Sequence, residues 1–185
     1  MLFRSTAAGS DGRAWTVLDG LWQYAAWEEA AVDEAGRLAP VEKLDADLGS
    51  LRWRAYKAPG KREYQMPEET FAHRYLLRAR IQVPAEAAGR GCYLDVQRSS
   101  MQVSVFLNGV YCGDSGKAFL TAWQCDVSKA LRPGQVNELV LVVKDAYYAL
   151  NPGREKQGWL GFRNQPLDFL HSNQGTAGAM DWPVN

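Results

Sequence analysis

Nine short strand-like runs, separated by turn residues, restrict this chain more than any other feature of its sequence. They are AWTVL (14–18), LWQYAAW (21–27), LRWRAY (51–56), RYLLRARIQV (74–83), CYLDVQ (92–97), QVSVFL (102–107), VYCG (110–113), FLTAWQCDV (119–127) and ELVLVVKD (138–145). They are rich in Val, Leu, Tyr and Trp, and several alternate apolar with polar residues. Gly, Pro, Asn, Asp or Ser lie between most of them. Val103, Val105 and Leu107 fall on one face of their strand, Ser104 and Phe106 on the other. Asn108-Gly109 then leads straight into the next strand, and a two-residue type I′ turn needs positive φ at both positions, which this pair tolerates. Short strands at this spacing predict an all-β fold, a β-sandwich or jelly roll of about eight to ten strands.

One domain spanning residues 1–185 suits the length, with its core in 13–145. Period-2 alternation on strands with one buried face places Leu21, Trp22, Leu94, Val96, Val103, Val105, Leu107, Leu139, Leu141 and Val143 inside. Three stretches break the pattern. Glu28 to Ala35 is acidic and Ala-rich and reads as a short surface helix stopped by Gly36. Pro59 to Glu69 is polar and Pro-bounded and reads as a long loop. After Asp145 alternation fades into a segment, 146–185, rich in Gly, Asn, Gln and Pro that still carries Trp159, Phe162, Phe169 and Trp182. Between two strands, Ser128 can cap a single turn, and Pro133-Gly134 makes the turn into the last run.

Charge excludes some classes. Lys+Arg and Asp+Glu both number 21, so nothing favours nucleic acid or an anionic membrane surface. No apolar run reaches the roughly 18 residues that a membrane span needs. The first ten residues are too short and too polar for a secretory leader, which makes the cytoplasm the default expectation. Cys92, Cys112 and Cys125 are widely spaced, without CxxC, and His73 and His171 stand alone. These read as buried free thiols, with one disulfide and a free thiol as the alternative, and no metal site is expected. No GxSxG elbow and no strand-linked GxGxxG occurs. The one Asn-Glu pair, Asn137-Glu138, lies within a strand motif, with Asn137 read as a turn residue and Glu138 as facing solvent.

Four motifs in order carry a resemblance. LDGLWQY (18–24), LLRARIQVP (76–84), YLDVQRSSMQVSVFLNGVYCGDSG (93–116) and CDVSKALRPGQVNELVLVV (125–143) resemble the N-terminal sugar-binding domain of family 2 glycoside hydrolases. These are enzymes of the β-galactosidase, β-glucuronidase and β-mannosidase type. The resemblance covers residues 18 to 145 and implies a galactose-binding-like jelly roll. It departs from the family at Leu76-Leu77, where Trp-Tyr is usual, in a longer insertion over Glu28 to Ser50, and at Gly116-Lys117, where Gly-Gly is common.

The resemblance also implies a role. In that family two carboxylates on a separate TIM barrel cleave the glycoside with retention. A barrel needs about 250 residues, so this chain is expected to hold no catalytic residue and to be inactive alone. Its partners would be that barrel, further β-sandwich domains of the same polypeptide and, through them, carbohydrate. No cofactor is implied. MDWPVN (180–185) resembles the family's Asp-aromatic stretch, with Asp181 and Trp182 as substrate-binding positions. A carboxylate accepts hydroxyl bonds, and an indole offers a stacking face. Alternatively Asp181 caps a turn and Trp182 packs beneath the segment. The family's next strand has no counterpart after Asn185, so the domain is expected to be cut before it. Two other readings stay open: a free-standing carbohydrate-binding module, and a structural or assembly sandwich. Asn-Gly is explained by its turn, which leaves little need for a sugar contact from Asn108.

Overall fold

Strand β11 (Val136–Lys144) is the spine of the molecule. It runs antiparallel to β6 (Arg74–Gln82) on one side and to β8 (Gln102–Leu107) on the other, so that Leu141 faces Leu77 and Val105 across the two ladders. The structure is a computed structural model that describes residues 2–3, 7–8, 14–27, 41–44, 46–60, 62–66, 74–97, 99, 102–115 and 122–144. Around the spine, β5 (Arg54–Ala58) and β4 (Gly20–Ala26) extend the sheet beyond β6, and β9 (Val110–Asp114) extends it beyond β8. The order is β5-β4-β6-β11-β8-β9, all antiparallel. The short β1 (Leu2–Phe3) adds in parallel to the far end of β6, opposite Arg80 and Ile81. Strands β7 (Tyr93–Val96) and β10 (Trp123–Asp126) form a second, two-stranded sheet, and β2 (Ala7–Ala8) pairs with β3 (Ala14–Trp15).

The main core lies between the large sheet and the β7–β10 pair. Alternation sends Trp22, Tyr24, Tyr56, Tyr75, Leu77, Val103, Val105, Leu107, Leu139, Leu141 and Val143 to this side. Leu94, Val96, Cys125, Val127 and Ala130 meet them from the opposite layer. Three tyrosines cluster at one end, Tyr24 stacking on Tyr56 at 6.0 Å and meeting Tyr75 in a tilted contact at 5.2 Å between ring centres. The all-β sandwich expected from the strand spacing is therefore present.

Leu21 departs from the expected core. It is half exposed, whereas Trp22 beside it is buried and donates its indole N–H to Leu18 O at 2.7 Å. Neighbours on a strand point to opposite faces, so the two could not both enter one core. The other nine residues expected inside are buried.

The central strands are buried on both faces, not one. All six residues of β8 are buried. The outer face carries a second cluster of Val41, Leu76, Phe106, Val140 and Val142, covered by Leu44, Leu48, Leu51, Trp53 and Tyr111. The cover comes mainly from the chain between 41 and 53, most of which falls in the stretch Glu28 to Ser50 that is long relative to the resemblance. Val41 N donates to the buried Ser104 hydroxyl at 3.0 Å, which satisfies a polar group that alternation would have left facing water.

The expected loop at Pro59 to Glu69 contains a helical turn, α1 (Arg62–Gln65). Gln65 fixes it by accepting from Lys57 N at 2.7 Å and donating to Lys57 O at 2.9 Å, and Met66 next to it is buried. The helix expected over Glu28 to Ala35 lies outside the described residues.

Candidate functional site

Asp181 and Trp182 lie outside the described residues, as does the whole segment after Lys144. What the structure describes in full is the end of the sandwich where the β8–β9 hairpin meets the β10–β11 crossover. Asn108 and Gly109 have φ of 52° and 80°, the pair of positive angles that a two-residue primed turn requires. The Asn108 side chain does more than turn. Its Nδ2 donates to Ala130 O and to Asn137 Oδ1, both at 2.8 Å, and its Oδ1 accepts from Glu138 N at 3.0 Å.

Asn137 is the hub beneath it. It is fully buried, which corrects its reading as an ordinary turn residue. Its Oδ1 also accepts from Arg132 N at 2.8 Å, and its Nδ2 donates to Arg132 O at 2.9 Å and Gln135 O at 3.0 Å. Both amide hydrogens and both lone pairs are thus used, the full capacity of an Asn side chain. The Pro133-Gly134 turn it holds is as expected, with Gly134 at φ 75° and Gln135 N donating to Arg132 O. Only a signal spanning some 30 residues, from Asn108 to Asn137, would have exposed this role, and local turn chemistry masks it.

Ser128 also departs from its expected part. Its hydroxyl accepts from Cys92 N at 2.8 Å and donates to Cys92 O at 3.3 Å, which ties the crossover to the start of β7. The local turn is held by Asp126, whose Oδ1 accepts from Ser128 N at 2.9 Å. These bonds to Ser128 hold the Asp126 carboxyl below its usual range.

On the outer face Arg78 is the central polar group. Its guanidinium stacks on the Trp53 ring at 3.9 Å, donates from Nε to Gln23 Oε1 at 2.8 Å, and has Nη1 3.9 Å from a Glu138 oxygen. Trp53 in turn donates its N–H to Leu48 O at 2.8 Å. Glu138 is only about one-third exposed, so it leans on the sheet's cation and does not simply face solvent. Burial pulls the Arg78 guanidinium below its usual range and Glu138 pulls it back up.

All three thiols are free, and burial pushes each of them up, Cys125 to about 11. A raised thiol holds less thiolate and is a poorer nucleophile. Burial, followed by the 2.7 Å bond to Asp114, pushes the Tyr111 phenol up as well. Among the described residues no three His, Cys, Asp or Glu side chains gather as a metal site would need, and no helix is long and apolar enough to cross a membrane. The arrangement holds the hairpin, crossover and covering segment in place.

Comparison of the fold finds β-glucuronidases. The sandwich superposes on the enzyme from Ruminococcus gnavus with a TM-score of 0.53 at 19% identity, covering 69% of this chain and 21% of that one. The same enzyme in complex with D-glucuronic acid gives 0.54 at 18%. The β-D-glucuronidase of Dictyoglomus thermophilum gives 0.51 at 15%, over 69% of this chain and 19% of its own. The likeness is one of fold. No family model and no curated protein matches the sequence. The match spans about a fifth of the length of the glucuronidases, so it concerns one part of those enzymes and not the whole.

Proposed function

We propose that this chain is a non-catalytic accessory domain of a family 2 glycoside hydrolase, a galactose-binding-like jelly roll that forms one wall of the substrate pocket in a TIM barrel of the same polypeptide. The observation that carries this reading is the β-glucuronidase fold match over 69% of this chain and only 21% of the enzyme. Two further points support it. The four motifs of the resemblance fall in order on β4, on β6, on β7 to β9, and on β10 to β11. The described polar groups are engaged in holding strands and crossover together, as a scaffold requires.

The parent reaction would be glycoside hydrolysis with retention, by two carboxylates about 5–5.5 Å apart on the barrel. Residues 1–185 act as a single unit beside it. Asp181 accepts from a sugar hydroxyl and Trp182 offers a stacking face at the rim. The test compares the isolated chain with the complete product of its gene on a panel of nitrophenyl β-glycosides, the β-D-glucuronide first. The expected result is no turnover by residues 1–185 and hydrolysis by the complete product. Turnover by the isolated chain that a single Asp or Glu substitution abolishes would overturn the accessory role. Saturable sugar binding by the isolated chain would favour the binding-module reading in its place.

A further inference from the structure

Asn108-Gly109 is the sequence's one Asn-Gly pair, and it is also where the sandwich is clamped. Asn-Gly is the dipeptide most prone to spontaneous deamidation, because glycine leaves the attacking backbone nitrogen unshielded. The Gly109 amide nitrogen loses its proton to solvent and bonds to Asn108 Cγ. The Cγ–Nδ2 bond breaks, and Nδ2 leaves as ammonia with a proton from water. Water then opens the resulting succinimide at either carbonyl, leaving aspartate or isoaspartate at position 108. The sum is side-chain amide plus water to carboxylic acid plus ammonia, with no electron transfer and no co-reactant but water.

In the folded chain this chemistry is obstructed. The Asn108 amide is pinned in one orientation by Ala130 O, Asn137 Oδ1 and Glu138 N. For Gly109 N to reach Cγ the amide must rotate away from all three. The turn itself sits at the surface, where water has access: Gly109 is exposed, with open space where a Cβ would stand. We propose that Asn108 is a self-modification site gated by the hairpin–crossover clamp, closed in the native fold and open whenever the clamp opens. The product cannot restore the clamp. At position 108 a carboxylate would turn oxygens, not N–H groups, toward Ala130 O and Asn137 Oδ1, and buried acceptors facing one another without a proton are destabilising. An isoaspartate adds a methylene to the main chain of a two-residue turn. Each opening that ends in chemistry therefore leaves a chain whose crossover is permanently loosened.

The experiment incubates the folded chain and the urea-unfolded chain at mildly alkaline pH and follows deamidation of the Asn108-Gly109 peptide by mass spectrometry. Losing three hydrogen bonds corresponds to about a hundredfold difference, so the folded chain should react about a hundred times more slowly. Equal rates would overturn the proposal. Asn137→Ala removes one partner of the amide. In a sample whose near-ultraviolet circular dichroism is native, it should react faster than the unsubstituted chain, and an unchanged rate would overturn the assignment of protection to this clamp. Should that variant fail to fold, the unsubstituted chain decides. Below its unfolding transition, deamidation should rise with urea in parallel with hydrogen exchange of the Glu138 amide, and deamidation that stays flat while exchange rises would equally overturn the gating.

Discussion

The guanidinium carbon of Arg78, on the central strand β6, lies over the indole of Trp53, from the covering segment, 3.9 Å from the ring centre. This contact joins the sheet to the chain that roofs its outer face. Trp53→Ala removes the stacking face and the bond to Leu48 O together. The expected cost is about 2–4 kcal/mol in urea unfolding, at the low end of large aromatic truncations because Trp53 is only partly buried. Trp53→Phe should recover most of it. A loss below about 0.5 kcal/mol, the range of ordinary surface substitutions, would show that the segment is held elsewhere.

Val105 and Leu21 form a matched pair of opposite placement. Val105 is fully buried at the centre of the core, and Leu21 is half exposed. Val105→Ala should cost about 1–3 kcal/mol. Leu21→Ala should stay within about 0.5 kcal/mol. Thermal melts of the two variants compared with the unsubstituted chain check both, and a reversed order would mean that β4 is registered one residue away from the described pairing.

The thiols predict an alkaline limit. Cys125 is raised by burial from the ordinary 9.0 to about 11, and Cys92 and Cys112 shift in the same direction for the same first reason. A raised thiol binds its proton more tightly folded than unfolded, so its contribution is complete below pH 9 and is lost as pH rises through about 11. Urea midpoints should fall across that window. Cys125→Ser, which does not titrate there, should flatten the fall, and an unaltered slope would assign it to other groups. In native buffer at neutral pH, Cys125 should react with a disulfide reagent far more slowly than in urea.

For the proposed role of Asp181, the decisive variant is Asp181→Ala in the complete enzyme. One charged hydrogen bond that tightens in the transition state, with the electrostatics of an enclosed site, corresponds to a loss of about 10–1000-fold in kcat/KM. Melting of the enzyme should barely move. Unchanged kinetics on the best glycoside would remove Asp181 from the site and leave this end of the domain structural.

Strand alternation and turn chemistry are local properties, and both are legible in the sequence. Alternation located the strands, and it picked nine of the ten core residues named from it. Asn108-Gly109 and Pro133-Gly134 announced their turns because the backbone angles these pairs accept are local properties. The candidate pair Asp181 and Trp182 rested on a short motif in a stretch without alternation, and it stays beyond the described residues. Tertiary structure alone decided the rest. Leu21 and Trp22 are equally apolar, and only the sheet's one buried side at that point chose between them. Ser104 and Phe106 looked like an outer face until the 41–53 segment covered them. Asn137 and Ser128 looked like turn residues, yet Asn137 also accepts from Asn108, 29 residues earlier, and the Ser128 hydroxyl bonds to Cys92, 36 residues earlier. A hydrogen-bond partner that distant leaves no period and no local propensity in the sequence, because it exists only once strands far apart in the chain have paired.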